Sequence, residues 1–273
     1  MVGPGALGAR HQRVERLRRL VRRHSVRTSE RAFVLEGAKL LAEALDAGVA
    51  LEAVFVDHRA TGHEALLRRA GAAGARVHTL EPGVLERVAG TVTPQPVMAV
   101  AGWIDVALDE VLAADLVVVC VDVRDPGNAG TVLRSAEAAG AGAVVFCDGS
   151  VDVFNPKTVR ASAGSLFHVP VVASGPPAEV LERLGGAGLR RFATVARGGT
   201  PYDEADLASR VAIVLGNEAH GLPAGLDHVL DGGLTVPMAG RAESLNVGMA
   251  AAVICFESLR QRRAGAARSE VAP

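Results

Sequence analysis

The chain has 273 residues, 49% hydrophobic and 22% charged, with a formal net charge of −1. That length suits one large or two ordinary domains, and the composition excludes a disordered chain. No charge-free apolar stretch reaches the roughly 18 residues that a spanning helix needs, so a membrane span is excluded.

The near-neutral total hides an asymmetry. Residues 1–31 hold nine arginines against Glu15 and Glu30, a local charge of +7 that leaves −8 on the other 242 residues. Val14, Leu17, Leu20 and Val21 recur there at helical spacing, which predicts an amphipathic helix with a cationic outer face. Arg13, Arg16, Arg19, Arg22 and Arg23 are its candidate RNA-binding residues, since guanidinium groups suit phosphate. An ordinary solvated face in an arginine-preferring chain, which has only two lysines, explains the stretch equally well. An N-terminus with no apolar core argues against a secretory signal. Cys120, Cys147 and Cys255 are isolated, so no disulfide framework and no metal site are expected, and a cytoplasmic location fits.

Strand and helix patterns then alternate. Strands are expected at Phe33–Leu35, Leu51–Asp57, Arg76–Leu80 and Val97–Gly102. Helices are expected at Lys39–Asp46, Gly62–Arg69 and Pro82–Val88, with a turn at Thr93–Pro96. Together these make a small α/β domain over residues 1–105. After a junction at Ile104–Ala114, a second domain over 115–264 repeats the alternation. Its strands are Leu116–Asp122, Ala143–Asp148, Val169–Val172, Arg191–Val195, Val211–Leu215 and Leu234–Val236. Its helices are Gly130–Ala139, Pro156–Leu166, Pro177–Leu184 and a long Ser244–Arg263, with a flexible tail at 265–273. Strands alternating with helices predict an α/β fold with a parallel sheet.

Gly3-Pro4-Gly5-Ala6-Leu7-Gly8 matches the GxGxxG pattern, but no strand can precede it, so a nicotinamide-dependent enzyme is a weak reading. No Walker loop, GxSxG or HExxH occurs. Three segments at strand ends carry the chemistry, at the edge where parallel sheets bind ligands. The first runs from Asp122 through Asn128 and Gly130 to Arg134, with Asn128 as a cap or ligand contact and a helix opening at about Gly130. The second is Gly216-Asn217-Glu218-Ala219-His220-Gly221, followed by a helix expected at Pro223. The third runs from Val236-Pro237-Met238 to Ser244-Leu245-Asn246-Val247-Gly248, with Ser244 capping the long helix.

Together the three segments resemble the motifs of the SpoU (TrmH-like) branch of the SPOUT RNA methyltransferases. Asn128, Gly130 and Arg134 match the first motif. Gly216, Glu218 and Gly221 match the second. Pro237, Met238, Ser244, Leu245, Asn246 and Val247 match the third. Gly248 departs from it, since many relatives carry Ser there. The first domain is similar to the family's substrate-binding module around Phe33–Gly37 and Pro94–Val100. The resemblance implies a trefoil knot in the catalytic domain, a homodimer with its site at the subunit interface, and S-adenosylmethionine as cofactor. Gly216, Val236 and Leu245 would contact the cofactor, with Leu215, Met238 and Ser244 nearby. Arg134, Asn128, Glu218 and Asn246 would be the catalytic set. The implied reaction is methyl transfer to a ribose 2′-hydroxyl of ribosomal RNA, of the large subunit by preference. Transfer RNA as substrate and a non-catalytic RNA-binding assembly factor remain the alternatives.

Overall fold

The structure, a computed structural model, describes residues 5–89, 94–173 and 175–271. Gly3 and Pro4 of the glycine-rich N-terminus and Thr93 of the expected turn lie outside these residues. The chain divides into two compact units, 1–104 with 154–167 and 105–153 with 168–273.

The first unit contains α1 (Gln12–Arg22), α2 (His24–Glu30), β1 (Ala32–Glu36), α3 (Ala38–Asp46), β2 (Leu51–Asp57), α4 (Glu64–Ala72), β3 (Arg76–Leu80), α5 (Val84–Val88) and β4 (Val97–Gly102). Its sheet has the order β1-β4-β2-β3, with β4 antiparallel to β1 and β2 and β3 parallel to β2. The predicted apolar stripe lays α1 on the sheet: Val14, Leu17, Leu20 and Val21 pack with Val34, Phe55, Met98 and Val100. The arginine-rich stretch is two helices, because Arg23 is extended (φ −122, ψ 113) and breaks the first.

The second unit contains α6 (Leu108–Val111), β5 (Leu116–Cys120), α7 (Pro126–Ala138) and β6 (Ala143–Phe146). The chain then contributes α8 (Pro156–Ala161) and a 3-10 turn to the first unit, and returns. There follow β7 (Val171–Val172), α9 (Pro177–Gly186), β8 (Arg190–Thr194), β9 (Thr200–Pro201), β10 (Val211–Leu215), β11 (Gly232–Thr235) and α10 (Val247–Val271). The sheet is parallel throughout, in the order β7-β6-β5-β10-β8-β11-β9. Its central strands, Leu116–Cys120 and Val211–Leu215, are buried along their whole length. That is the burial expected of a parallel sheet covered on both faces. Val180, Leu181 and Leu184 of α9 pack on one face against Val117, Val119, Ala212 and Val214. On the other, α10 packs on α7 and β10.

Four differences from the sequence reading have physical causes. The 156–166 segment belongs with the first unit. Phe154 stacks between Phe33 and Trp103, with ring centroids 4.9 and 4.7 Å away, and Arg160 Nη1 donates to the buried Glu36 Oε2 at 2.7 Å. Helix α7 starts at Pro126, four residues before Gly130, because proline is preorganised for the first helical position. No α-helix forms at Pro223; the segment holds a left-handed Gly225 (φ 91) and only a 3-10 turn, Asp227–Val229. Helix α10 runs past Arg263 to Val271, through alanine, arginine and glutamate, good helix formers with no proline before Pro273.

Candidate functional site

The site lies in the second unit, at the carboxyl edge of β8, β10 and β11, and it starts with α7. Asp125 caps this helix: its Oδ1 accepts the Asn128 backbone N–H at 2.8 Å. Asn128 is therefore in the first turn rather than at the cap, and its amide is free to project. Asn128 Nδ2 donates to Glu218 Oε1 at 2.7 Å, and Asn128 Oδ1 accepts from Asn246 Nδ2 at 2.9 Å. These two bonds tie together three segments spread over 118 positions of the chain. The Glu218 carboxylate, unexplained at a strand end in the sequence, orients the Asn128 amide through a charge-assisted bond.

Each partner is itself held. Asn246 Oδ1 accepts the Gly248 N–H at 2.9 Å and the Met249 N–H at 3.4 Å. Asn246, not Ser244, therefore caps α10, which begins at Val247. A Cβ on Gly248 would lie 2.8 Å from Thr131 Cγ2, so the glycine at the motif's one departure lets α10 approach α7 closely. In the second loop, Asn217 and Gly221 exchange backbone hydrogen bonds of 2.9 Å each way. Asn217 Nδ2 donates to the Asp122 carbonyl at 3.0 Å, and its Oδ1 accepts the Ala219 N–H at 2.9 Å. Asp122, two residues past β5, is left-handed (φ 58), a conformation that Asp tolerates better than most residues.

The loops after β8, β10 and β11 and the start of α10 enclose a cavity of about 440 Å³. Four expected cofactor contacts line it: Gly216, Val236, Ser244 and Leu245. Glu218 and Asn246 line it too. Leu215 is the buried last residue of β10, one position before the lining Gly216, and Met238 is not among the lining residues. The sequence reading missed Asn217, which clamps the second loop to β5, and the wall from Thr194 to Ala196. Thr194 ends β8, so the rule that ligands sit at carboxyl ends of parallel strands was the available signal.

Arg134 stands apart. Six residues beyond Asn128, it points about 120° around the helix from it. It is exposed, and its side chain has no hydrogen bond or ion pair among the described residues. The three thiols are chemically quiet: burial raises all three, Cys147 and Cys255 to about 12 and Cys120 well above the usual range. None is a thiolate nucleophile near neutrality. Among the described residues no cluster of His, Cys, Asp or Glu could hold a metal ion, and no helix is long and apolar enough to cross a membrane.

The basic helix of the first unit divides its arginines. Arg16 is paired with Glu30 at 2.5 Å and Glu52 at 2.6 Å. Arg19 lies 3.9 Å from Glu30, and Arg22 donates to the Arg87 carbonyl at 3.1 Å. Arg13 and Arg23 have no ion pair among the described residues.

Fold and site define an α/β domain that takes a small ligand at the carboxyl edge of a parallel sheet, with three motif loops locked around it. The model of the SpoU rRNA Methylase family matches residues 115–256, and that of the MRM3-like substrate binding domain matches 11–99. The chain belongs to the SpoU rRNA methylase family. It is 36% identical over 250 residues to the 23S rRNA (guanosine(2553)-2′-O)-methyltransferase RlmP of Bacillus subtilis (strain 168), covering 91% of this chain and 96% of that one. It is 37% identical over 145 residues to the 23S rRNA (uridine(2479)-2′-O)-methyltransferase of Streptomyces viridochromogenes, covering 51% and 50%. Among solved structures, the AdoMet-bound rRNA methyltransferase from Sinorhizobium meliloti superposes with a TM-score of 0.82 at 30% identity, covering 92% of this chain and 95% of that one.

Proposed function

We propose that the chain transfers a methyl group from S-adenosylmethionine to a ribose 2′-hydroxyl of 23S ribosomal RNA. The observation that carries this reading is the Glu218–Asn128–Asn246 hydrogen-bond chain, which joins all three motifs beside one cavity. The cavity fits the cofactor: its volume lies in the range of about 300–1,000 Å³ typical of small-molecule sites. Its walls mix apolar side chains (Val195, Leu234, Leu245, Ile254) with loop backbone, a surface suited to a flat heterocycle with polar edges. Gly216, Val236, Ser244 and Leu245 would hold it. Bound there, S-adenosylmethionine supplies a methyl group already activated on a sulfonium.

The residues of the chain then have to align the hydroxyl and manage its charge. Alignment of reactants supplies up to roughly 7–11 kcal/mol. Asn128, held rigid by Glu218 and Asn246, orients the ribose. Arg134 clamps an RNA phosphate and stabilises negative charge growing on the 2′-oxygen. A guanidinium offers N–H donors and no acceptor, so Arg134 acts as a donor rather than a base. The proton leaves to a phosphate oxygen or water.

Because Arg134 turns away from Asn128 within its own chain, the reading includes a homodimer in which each Arg134 completes the partner's site. The apolar face for this is on α10, where Met249 and Phe256, seven residues apart, are 60% and 48% exposed. Light scattering on Phe256→Glu against wild type tests it, and an unchanged dimer mass would refute that face. A trefoil knot formed by the loops after β10 and β11, and a cytoplasmic location alongside ribosomal RNA, belong to the same reading. Label transfer from radioactive S-adenosylmethionine to separate deproteinised rRNA and tRNA fractions tests the substrate. Label in tRNA alone would overturn the choice of rRNA.

A further inference from the structure

The first unit holds a second cavity, a cleft of about 370 Å³ between α1 and the start of β2 and β3. Arg13 and Arg16, one turn apart on α1, form one side, and Arg76 and His78, alternate residues of β3, form the other. The apolar floor includes Phe55, against which the His78 ring packs at 5.5 Å with a 42° tilt.

The charges in this cleft do not balance. Glu52, the one acid among the described residues that line it, is taken by Arg16, which also holds Glu30. The Arg13 side chain has only a long 3.5 Å contact with His78 Nε2, and the Arg76 side chain has no hydrogen bond or ion pair among the described residues. Burial, and then Arg13, His11 and Arg76, hold the His78 pKa below its ordinary value. Two unneutralised guanidinium groups thus flank a concave space beside a neutral aromatic ring. A guanidinium fork matches phosphate, and unpaired RNA bases stack on histidine rings and guanidinium planes. The concavity fits one splayed nucleotide better than the surface of a duplex.

We propose that this cleft holds a single unstacked nucleotide of the RNA substrate, its phosphate between Arg13 and Arg76 and its base against His78. The inference rests on RNA being the substrate and assigns its anchoring point on the first unit. It also separates the basic residues by role, with Arg13 and Arg76 binding and Arg16 bracing α1 through Glu30 and Glu52.

The test is the full-length double variant Arg13→Gln/Arg76→Gln, in which both altered side chains are exposed. Losing these charged hydrogen bonds should raise KM for deproteinised 23S rRNA at least tenfold. The slope of log affinity against log salt should fall by about one for each phosphate that is no longer neutralised. Affinity for S-adenosylmethionine should not move. In parallel, the His78 ring signals of the wild-type protein are followed by NMR against uridine 5′-monophosphate, uridine and inorganic phosphate, with the strongest response expected for the nucleotide. Wild-type methylation of rRNA with an unchanged KM and salt slope in the variant would overturn the cleft and leave the enzymatic reading standing. Absence of methylation by the wild type would overturn that reading, and the NMR arm would then decide the cleft: a nucleotide response sustains it, and none ends it.

Discussion

Gly216→Ala is the sharpest test of the cavity, because its effect follows from geometry alone. A Cβ at residue 216 would lie 2.5 Å from the carbonyl carbon of Gly221, 2.7 Å from the Leu222 nitrogen and 2.8 Å from the Gly221 oxygen. All three are backbone atoms, so no rotamer change relieves the clash. They are also fixed, because Asn217 and Gly221 bond each other in both directions and Asn217 is tied to Asp122. Residues 217–221 must therefore shift, and these residues wall the cavity. Forcing one extra methyl into a packed site costs about 1–3 kcal/mol. Carried into ligand binding, that is a loss of roughly 5- to 150-fold in affinity. The assay is isothermal titration with S-adenosylmethionine, with far-UV circular dichroism to show that β10 and its neighbours persist. Gly240→Ala is the control, since a Cβ there meets no atom within 4 Å. Wild-type affinity in Gly216→Ala would refute the placement of the ligand against this loop.

Asn128→Ala removes the 2.7 and 2.9 Å bonds that join the three motifs; kcat/KM should fall at least tenfold, about 1.4 kcal/mol of transition-state stabilisation, and an unchanged value would deny Asn128 its role. The thiols, with Cys147 and Cys255 pushed to about 12 and Cys120 buried beside them, should ignore Ellman's reagent at pH 8 in the native protein and react in denaturant; rapid native labelling would contradict their burial. The Arg191 guanidinium beside Asp231 lowers that carboxyl's pKa, with bonds of 2.8 and 2.9 Å from the side chain and 2.7 Å from the backbone. A depressed folded-state pKa contributes stability above the unfolded value of 3.8, lost as pH falls through the lower folded value. Asp231→Asn should therefore flatten the acid limb of a melting-temperature profile below about pH 4, and an unaltered limb would show that the pair contributes nothing.

Strands with uniform apolar runs were the most legible part of the fold. Leu51–Asp57, Val97–Gly102 and Val211–Leu215, buried over most of their length, occupy the expected residues, because burial leaves little freedom in where such a run pairs; Arg76–Leu80 does so too, although only Leu80 of it is buried. Proline was the main source of error. At Pro126 it opens a helix that was expected only from about Gly130, and at Pro223 it opens none because Gly225 follows in a left-handed conformation. Local patterns also could not place α8, since its assignment depends on Phe154 reaching Phe33 and Trp103, contacts between residues distant in sequence. In the site, residue identities were legible and their bonding was not. Glu218 and Asn246 were singled out by their match to the motifs, but only the folded chain shows Asn128 between them. Asn217 was overlooked because its work, holding the Asp122 carbonyl, leaves no pattern in sequence.

The central claim concerns where the methyl group goes. Unmodified 23S rRNA treated with this protein and labelled S-adenosylmethionine should be hydrolysed with alkali and, separately, digested to nucleosides. A 2′-O-methyl group removes the hydroxyl that alkaline cleavage requires, so the account predicts label in an alkali-resistant dinucleotide and in one 2′-O-methylribonucleoside, with both signals lost in Arg134→Ala. Label released as an alkali-sensitive, base-methylated nucleotide would contradict it.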